Sequence, residues 1–140
     1  MSFNNSVVDA TLLNIRNKQP ELKCFRLNSD SRYPDKRLAD ITRNGNTWES
    51  KKELTDLVEQ TDVFCTSTMS MFHPFLLGLV QQFDYVIVQE ASILSEPISI
   101  GPSLLGKTMI MFGDYYILNP SVKSIEADRK GLGKSLFRRL

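Results

Sequence analysis

The chain has 140 residues, 41% hydrophobic and 24% charged, a length and composition that give one globular domain with a real core and exclude disorder. A net charge of +1 provides no global attraction to nucleic acid, membrane or an acidic partner, so any such affinity must come from local features. Cys24 and Cys65 sit far apart in strand-like apolar runs with no histidine beside them, which describes two buried thiols in a reducing compartment and neither a zinc site nor a disulfide framework. Residues 1 to 5 lack the basic flank and apolar core of a signal peptide, and no apolar run approaches the ~20 residues that cross a bilayer. A soluble, intracellular protein without a membrane partner is expected.

The first periodic segment starts at Ser6, where Val8, Leu12 and Ile15 fall at helical spacing and Ser6 with Asp9 resembles a capping box. A doubly wound unit normally opens with a strand whose loop cradles phosphate, so a helix this early suggests that a strand is missing upstream. Leu22 to Leu27 reads as a short strand, and the polar residues from Asn28 to Asn46 read as a long surface connection. Ser50 to Glu53 is a second capping box, opening a helix whose apolar stripe of Leu54, Leu57 and Val58 should pack on a sheet. Val63 to Ser67 is a strand ending in hydroxyls. His73-Pro74 then introduces a short apolar helix to about Gln82.

The run Phe83-Asp84-Tyr85-Val86-Ile87-Val88-Gln89-Glu90-Ala91-Ser92 organises the rest. It is too short for a buried helix and rich in β-branched and aromatic residues, which predicts a central strand of a parallel sheet covered on both faces. It closes on Gln89-Glu90, and in open α/β sheets ligands bind beyond the carboxyl ends of the strands. Met109 to Phe112 gives another buried strand, ending in Gly113-Asp114, so two strands finish in carboxylates at one edge. Beyond Pro120, Lys123, Arg129, Lys130, Lys134, Arg138 and Arg139 stand against Glu126 and Asp128, and Ser135 to Leu140 reads as the start of a helix. This basic tail is a solvated face or a track for a nucleic-acid backbone. Tyr115 and Tyr116 either stack on bases or form a packed aromatic pair.

Gly101 to Thr108 satisfies the Gly-x-x-x-x-Gly-Lys-Ser/Thr phosphate-loop pattern, which requires a strand before it and a helix after it. Met109 to Phe112 reads as a strand, so the context fails and the segment is expected to be a turn feeding that strand. A small nucleotide-binding enzyme using this loop remains as a third reading.

Four stretches taken together resemble the first motor domain of superfamily 1B helicases, closest to the replication helicase-nucleases that process Okazaki-fragment flaps. Residues 2 to 9, Ser-Phe-Asn-Asn-Ser-Val-Val-Asp, are similar to motif Ia, which contacts single strands. Cys65-Thr66-Ser67-Thr68 followed by His73-Pro74 is similar to the next nucleic-acid-contacting stretch. Phe83 to Ser92 looks like motif II, usually ending Asp-Glu-Ala-Ser, and Gly113 to Pro120 looks like motif III, usually Gly-Asp-x-x-Gln-Leu-Pro-Pro. Ser135 to Leu140 matches a helix that follows.

The resemblance implies an incomplete RecA-like α/β domain of three layers, spanning residues 1 to 140 from motif Ia to just past motif III. Its mainly parallel strands are expected near residues 22 to 27, 62 to 67, 84 to 89 and 108 to 113. It implies ATP and magnesium in the parent family, single-stranded DNA and the remainder of the helicase as partners, and a nuclear location. Glu90 takes the place of the catalytic acid and Gln89 the magnesium-holding aspartate, a neutral and poorer ligand for a hard cation. Asp114 and Ile117 take the nucleotide-sensing positions. Ile117 replaces a glutamine and can neither donate nor accept, and Asn119 replaces a proline. Asn4, Asn5, Ser6, Thr66, Ser67, His73 and Tyr116 are the candidate nucleic-acid contacts. With no phosphate loop, the chain alone is expected not to hydrolyse ATP or to hold either cofactor tightly. The competing class is a degenerate, non-catalytic nucleic-acid- or protein-binding module.

Overall fold

A computed structural model describes residues 1–28, 35–44, 50–72, 76, 78 and 83–140. The chain divides into two compact units, Asn4–Val80 and Met1–Phe3 with Gln81–Leu140. Among the described residues the strand pairings are all parallel and helices are interspersed with the strands, so the fold is α/β.

In the first unit, α1 (Asn5–Lys18) leads to β1 (Cys24–Asn28), β2 (Thr42–Asn44), α2 (Lys51–Glu59) and β3 (Val63–Thr66). The sheet order is β2-β1-β3, with Arg26 opposite Thr42 and Cys65. Alternation along β1 sends Phe25 and Leu27 to a cluster with Leu54 and Leu76, against which Leu57, Val58 and Phe64 pack. A second cluster joins Val8 and Leu12 of α1 to Leu38 and Cys65, with Cys24, Ile41 and Val63 against it. Burial pushes the Cys24 and Cys65 thiols up, so both are poor nucleophiles. Each fully buried leucine contributes about 1.5–3 kcal/mol by leaving water.

Ser50 caps α2 as expected, its Oγ accepting the Glu53 N–H at 3.2 Å. The expected box at Ser6 is not formed. Helix α1 begins at Asn5, after the N-cap Asn4, and the Asp9 carboxylate is taken by Arg26 Nε at 2.7 Å. Arg26 is 1% exposed. Its Nη2 donates to Asn5 Oδ1 at 2.8 Å and its Nη1 to the Leu27 carbonyl, so the guanidinium is satisfied inside the fold. The segment expected to be a surface connection contains β2, whose short polar sequence Thr-Arg-Asn gives no apolar alternation; the ladder to β1 supplies what the side chains do not signal. The expected helix from His73 to Gln82 falls largely outside the described residues.

In the second unit, β4 (Phe83–Val88) pairs with β5 (Gly106–Met111), reached through α3 (Glu96–Leu105); α4 (Ile125–Arg129) and α5 (Leu136–Arg139) follow. Ser124 and Ser135 cap the last two, accepting the Ala127 and Arg138 N–H groups at 3.2 Å. Val86 and Val88 are buried on the face that α3 packs against. The opposite face corrects the expectation of a strand covered on both sides. Tyr85, Ile87 and Ile110 there are 65%, 48% and 38% exposed, because the described residues lay no helix over it.

The turn expected over Gly101 to Thr108 is also corrected. Gly101 to Leu105 form the last turns of α3 and Gly106 begins β5, so no loop exists to turn backbone amides toward a phosphate. Lys107 instead reaches across to Asp84, Nζ to Oδ1 at 2.7 Å.

Candidate functional site

The carboxyl ends of β4 and β5 are joined by backbone bonds. Phe112 N–H donates to the Val88 carbonyl and Ala91 N–H to the Phe112 carbonyl, both at 2.8 Å. Met1 lies along β4 as well, its ammonium donating to the Ile87 carbonyl at 2.6 Å while its own carbonyl accepts the Gln89 N–H at 2.8 Å. Between these ties the chain turns sharply at Glu90, the one residue other than glycine with positive φ among the described residues, at φ 54° and ψ 37°. A glutamate in the left-handed region is strained, and such strain concentrates where a side chain must be aimed. The Ser2 hydroxyl donates to Glu90 Oε2 at 2.7 Å, and Ser2 is completely buried.

Next to it, Asp114 N–H donates to Ser92 Oγ at 3.3 Å. Gly113 makes that approach possible. A Cβ there would sit 2.8 Å from the Ser92 nitrogen, closer than side-chain carbons come to backbone, so any larger residue would push the two strand ends apart. The Asp114 carboxylate is not turned outward to a ligand. Its Oδ1 accepts the Tyr116 N–H at 2.9 Å, an Asx turn that closes the loop after β5. Ile117 is 74% exposed beyond that turn, an apolar side chain with nothing to donate.

The candidate nucleic-acid contacts are scattered between the units. Asn4 and Ser6 are exposed at the first turn of α1, whereas Asn5 is committed to Arg26. Thr66 and Ser67 are buried, and their hydroxyls are engaged within the chain, Thr66 Oγ1 with the Ser67 carbonyl at 3.3 Å and Ser67 Oγ with Ser70 Oγ at 2.8 Å. The neighbouring Thr68 is buried with its Oγ1 unpartnered among the described residues. His73 lies outside the described residues. Tyr116 is 85% exposed.

In the basic tail, Arg139 forks onto Glu96 with two 2.8 Å bonds and Lys130 pairs with Glu126 at 2.7 Å. Lys123, Arg129 and Lys134 are exposed, with no carboxylate partner among the described residues. Sequence reasoning missed Ser2 and Ser92 as the groups that hold Glu90 and Asp114. Their signal was available only as small hydroxyls beside the acids.

Among the described residues no group of three or more His, Cys, Asp or Glu side chains could hold a metal. At the end of β4 the donors are one carboxylate, already bonded to Ser2, and the neutral amide of Gln89. Magnesium takes carboxylates together with substrate phosphates, and of the two donors only Glu90 is of that kind. No helix among them is long and apolar enough to cross a membrane.

No protein-family model matches the chain. Individual relatives do. It is 31% identical to the DNA replication ATP-dependent helicase/nuclease JHS1 of Arabidopsis thaliana, over 99% of this chain and 10% of that protein. It is 34% identical to the DNA replication ATP-dependent helicase/nuclease DNA2 of Gallus gallus, over 99% of this chain and 14% of that one. The Saccharomyces cerevisiae protein of the same name is 32% identical over 98% of the chain and 9% of its own length. The chain thus spans a small fraction of the curated relatives it matches. By sequence along nearly its whole length, it belongs to the DNA replication ATP-dependent helicase/nucleases, as the counterpart of one short segment of them.

Proposed function

We propose that residues 1 to 140 serve as part of a RecA-like, three-layer motor domain, from motif Ia to just past motif III, in a nuclear DNA helicase/nuclease that moves on single-stranded DNA. The observation that carries this reading is the junction of two parallel strand ends. There the strained Glu90 is held by Ser2, and motif III is drawn onto motif II by the bond from Asp114 to Ser92. That is where an α/β sheet binds ligands. In this reading Glu90 occupies the position of the acid that polarises the attacking water, and Gln89 the weakened magnesium position. Asn4, Ser6, His73 and Tyr116 are the candidate contacts to single-stranded DNA, each taken by itself. The partners are single-stranded DNA and the rest of the helicase.

The chain by itself does not turn over ATP. Gln89 and Ile117 replace a charged and a polar group, and Gly101 to Thr108, which matches the phosphate-loop pattern, is the end of helix α3 and the start of β5. A steady-state ATPase assay with magnesium and single-stranded DNA should give no turnover above background. Turnover abolished by Glu90→Gln would overturn that statement. Single-strand binding should weaken as salt rises, since phosphate contacts release counterions, and a flat salt response would remove the nucleic-acid role.

A further inference from the structure

The loop after β5 carries two consecutive tyrosines, of which Tyr116 is a candidate nucleic-acid contact. Neighbouring side chains usually diverge. Here the Asx turn at Asp114, closed again by Leu118 N–H to the Asp114 carbonyl at 3.2 Å, brings the Tyr115 and Tyr116 ring centroids to 4.4 Å at 32°. Tyr115 is half-buried and supported from behind. Its centroid is 6.4 Å from that of Phe137 on α5, and the Arg138 guanidinium carbon lies 6.0 Å from its ring centre. A hydrogen bond with the Tyr116 phenol pushes the Tyr115 hydroxyl up. Tyr116, outermost in the stack, keeps 85% of its surface in solvent.

A tyrosine so exposed contributes little to folding, yet it is pre-stacked on a fixed partner. Ordering a flexible aromatic on binding costs free energy, and this ring has already been ordered. Resting on this single-strand reading, we propose that Tyr116, backed by Tyr115, Phe137 and Arg138, is a stacking platform for an unpaired nucleobase. The open ring face takes the base. An open planar π-surface suits a base better than an aliphatic side chain, which would need a concave apolar pocket. The base comes either from a single strand or from a free nucleotide, since both present the same π-face.

The test uses the whole chain with two probes, fluorescein-labelled oligodeoxyadenylate read by anisotropy and AMP read by tyrosine quenching. Tyr116→Ala should weaken oligonucleotide binding roughly five- to hundredfold, as removal of one stacking partner does. Tyr116→Phe, which keeps the ring face, should stay within about twofold, and Tyr116→Ala should leave the salt slope unchanged because no phosphate contact is removed. AMP binding that is sensitive to Tyr116→Ala, without oligonucleotide binding, assigns the platform to a free nucleotide and discards only the single-strand reading. Oligonucleotide binding that ignores Tyr116→Ala overturns the platform and leaves the single-strand reading in place. Equal affinity for a blunt duplex, or no binding of either probe, also overturns the platform. Because Tyr116 is so exposed, the variants should retain the wild-type circular dichroism, which serves as the folding control.

Discussion

Strands β1 and β4 exchange the roles their sequences suggest. Phe83–Val88 is the more apolar and reads as the middle of a sheet, yet one of its faces exposes Tyr85 and Ile87. Cys24–Asn28 contains an arginine and an asparagine, yet from Phe25 onward every residue is buried, with α1 residues on one side and α2 residues on the other. The difference lies in what each strand meets. Helix α1 brings Asp9 and Asn5 to Arg26, which turns a charge into an interior group, whereas among the described residues α3 packs on one face of β4 and no helix lies over Tyr85 and Ile87 on the other. Burial is decided by neighbours and their ability to satisfy a side chain, and apolarity alone does not secure it.

The sharpest way to break this comparison is to strand the buried charge. Arg26→Met alone leaves the Asp9 carboxylate inside the fold without its guanidinium and should cost ~3–5 kcal/mol, read as a lower urea midpoint at unchanged slope. The double variant with Asp9→Leu should recover most of that loss. A double variant as unstable as the single would show that packing, not charge pairing, holds β1.

Next in size is the contrast between the strands. Leu27→Ala in β1 should cost ~2–5 kcal/mol, as cavity-forming core substitutions do. Ile87→Ala on the exposed face of β4 should stay near 0.5 kcal/mol, roughly the range of surface changes. Equal losses would mean that the outer face of β4 is covered in solution.

At the end of β3, Thr68→Val should raise stability by about 1 kcal/mol, because it replaces a buried hydroxyl that has no partner among the described residues with an isosteric methyl. A loss of stability would reveal a bond to that hydroxyl.

The smallest effect is on acid stability. Hydrogen bonds from Arg37 hold the Asp35 carboxyl at about 2, and those from Arg16 and Lys107 keep Asp40 and Asp84 below the usual carboxylate range. Depressed folded-state values mean that this contribution is complete above the unfolded carboxylate value, about 4, and is lost as pH falls through the folded values. The melting temperature should therefore decline modestly between about pH 4 and pH 2, since exposed pairs are screened. Asp84→Asn should flatten the part that belongs to β4 and β5, and a steeper decline in that variant would contradict the assignment.

Local patterns were legible wherever they depended on neighbours in sequence. The Ser50 cap, the α2 stripe, the parallel strands at Cys24–Asn28, Val63–Thr66, Phe83–Val88 and Gly106–Met111, and the closing helix Leu136–Arg139 all follow from spacing and cap residues read within a few positions. The candidate acid was equally legible, because a carboxylate ending an apolar strand needs no tertiary knowledge to be noticed. Family membership also came from order and spacing along the chain.

Only the tertiary structure decided the partners. Asp9 resembles a cap acid in sequence but serves Arg26, seventeen residues on; Asp114 resembles a site acid but closes its own turn; Lys107 resembles a phosphate-loop lysine but pairs with Asp84 on the adjacent strand. In each case the residue type fixed what chemistry was possible. A carboxylate or an ammonium bonds whichever complementary group the packing of distant segments brings within about 3 Å, and sequence spacing carries no record of that distance.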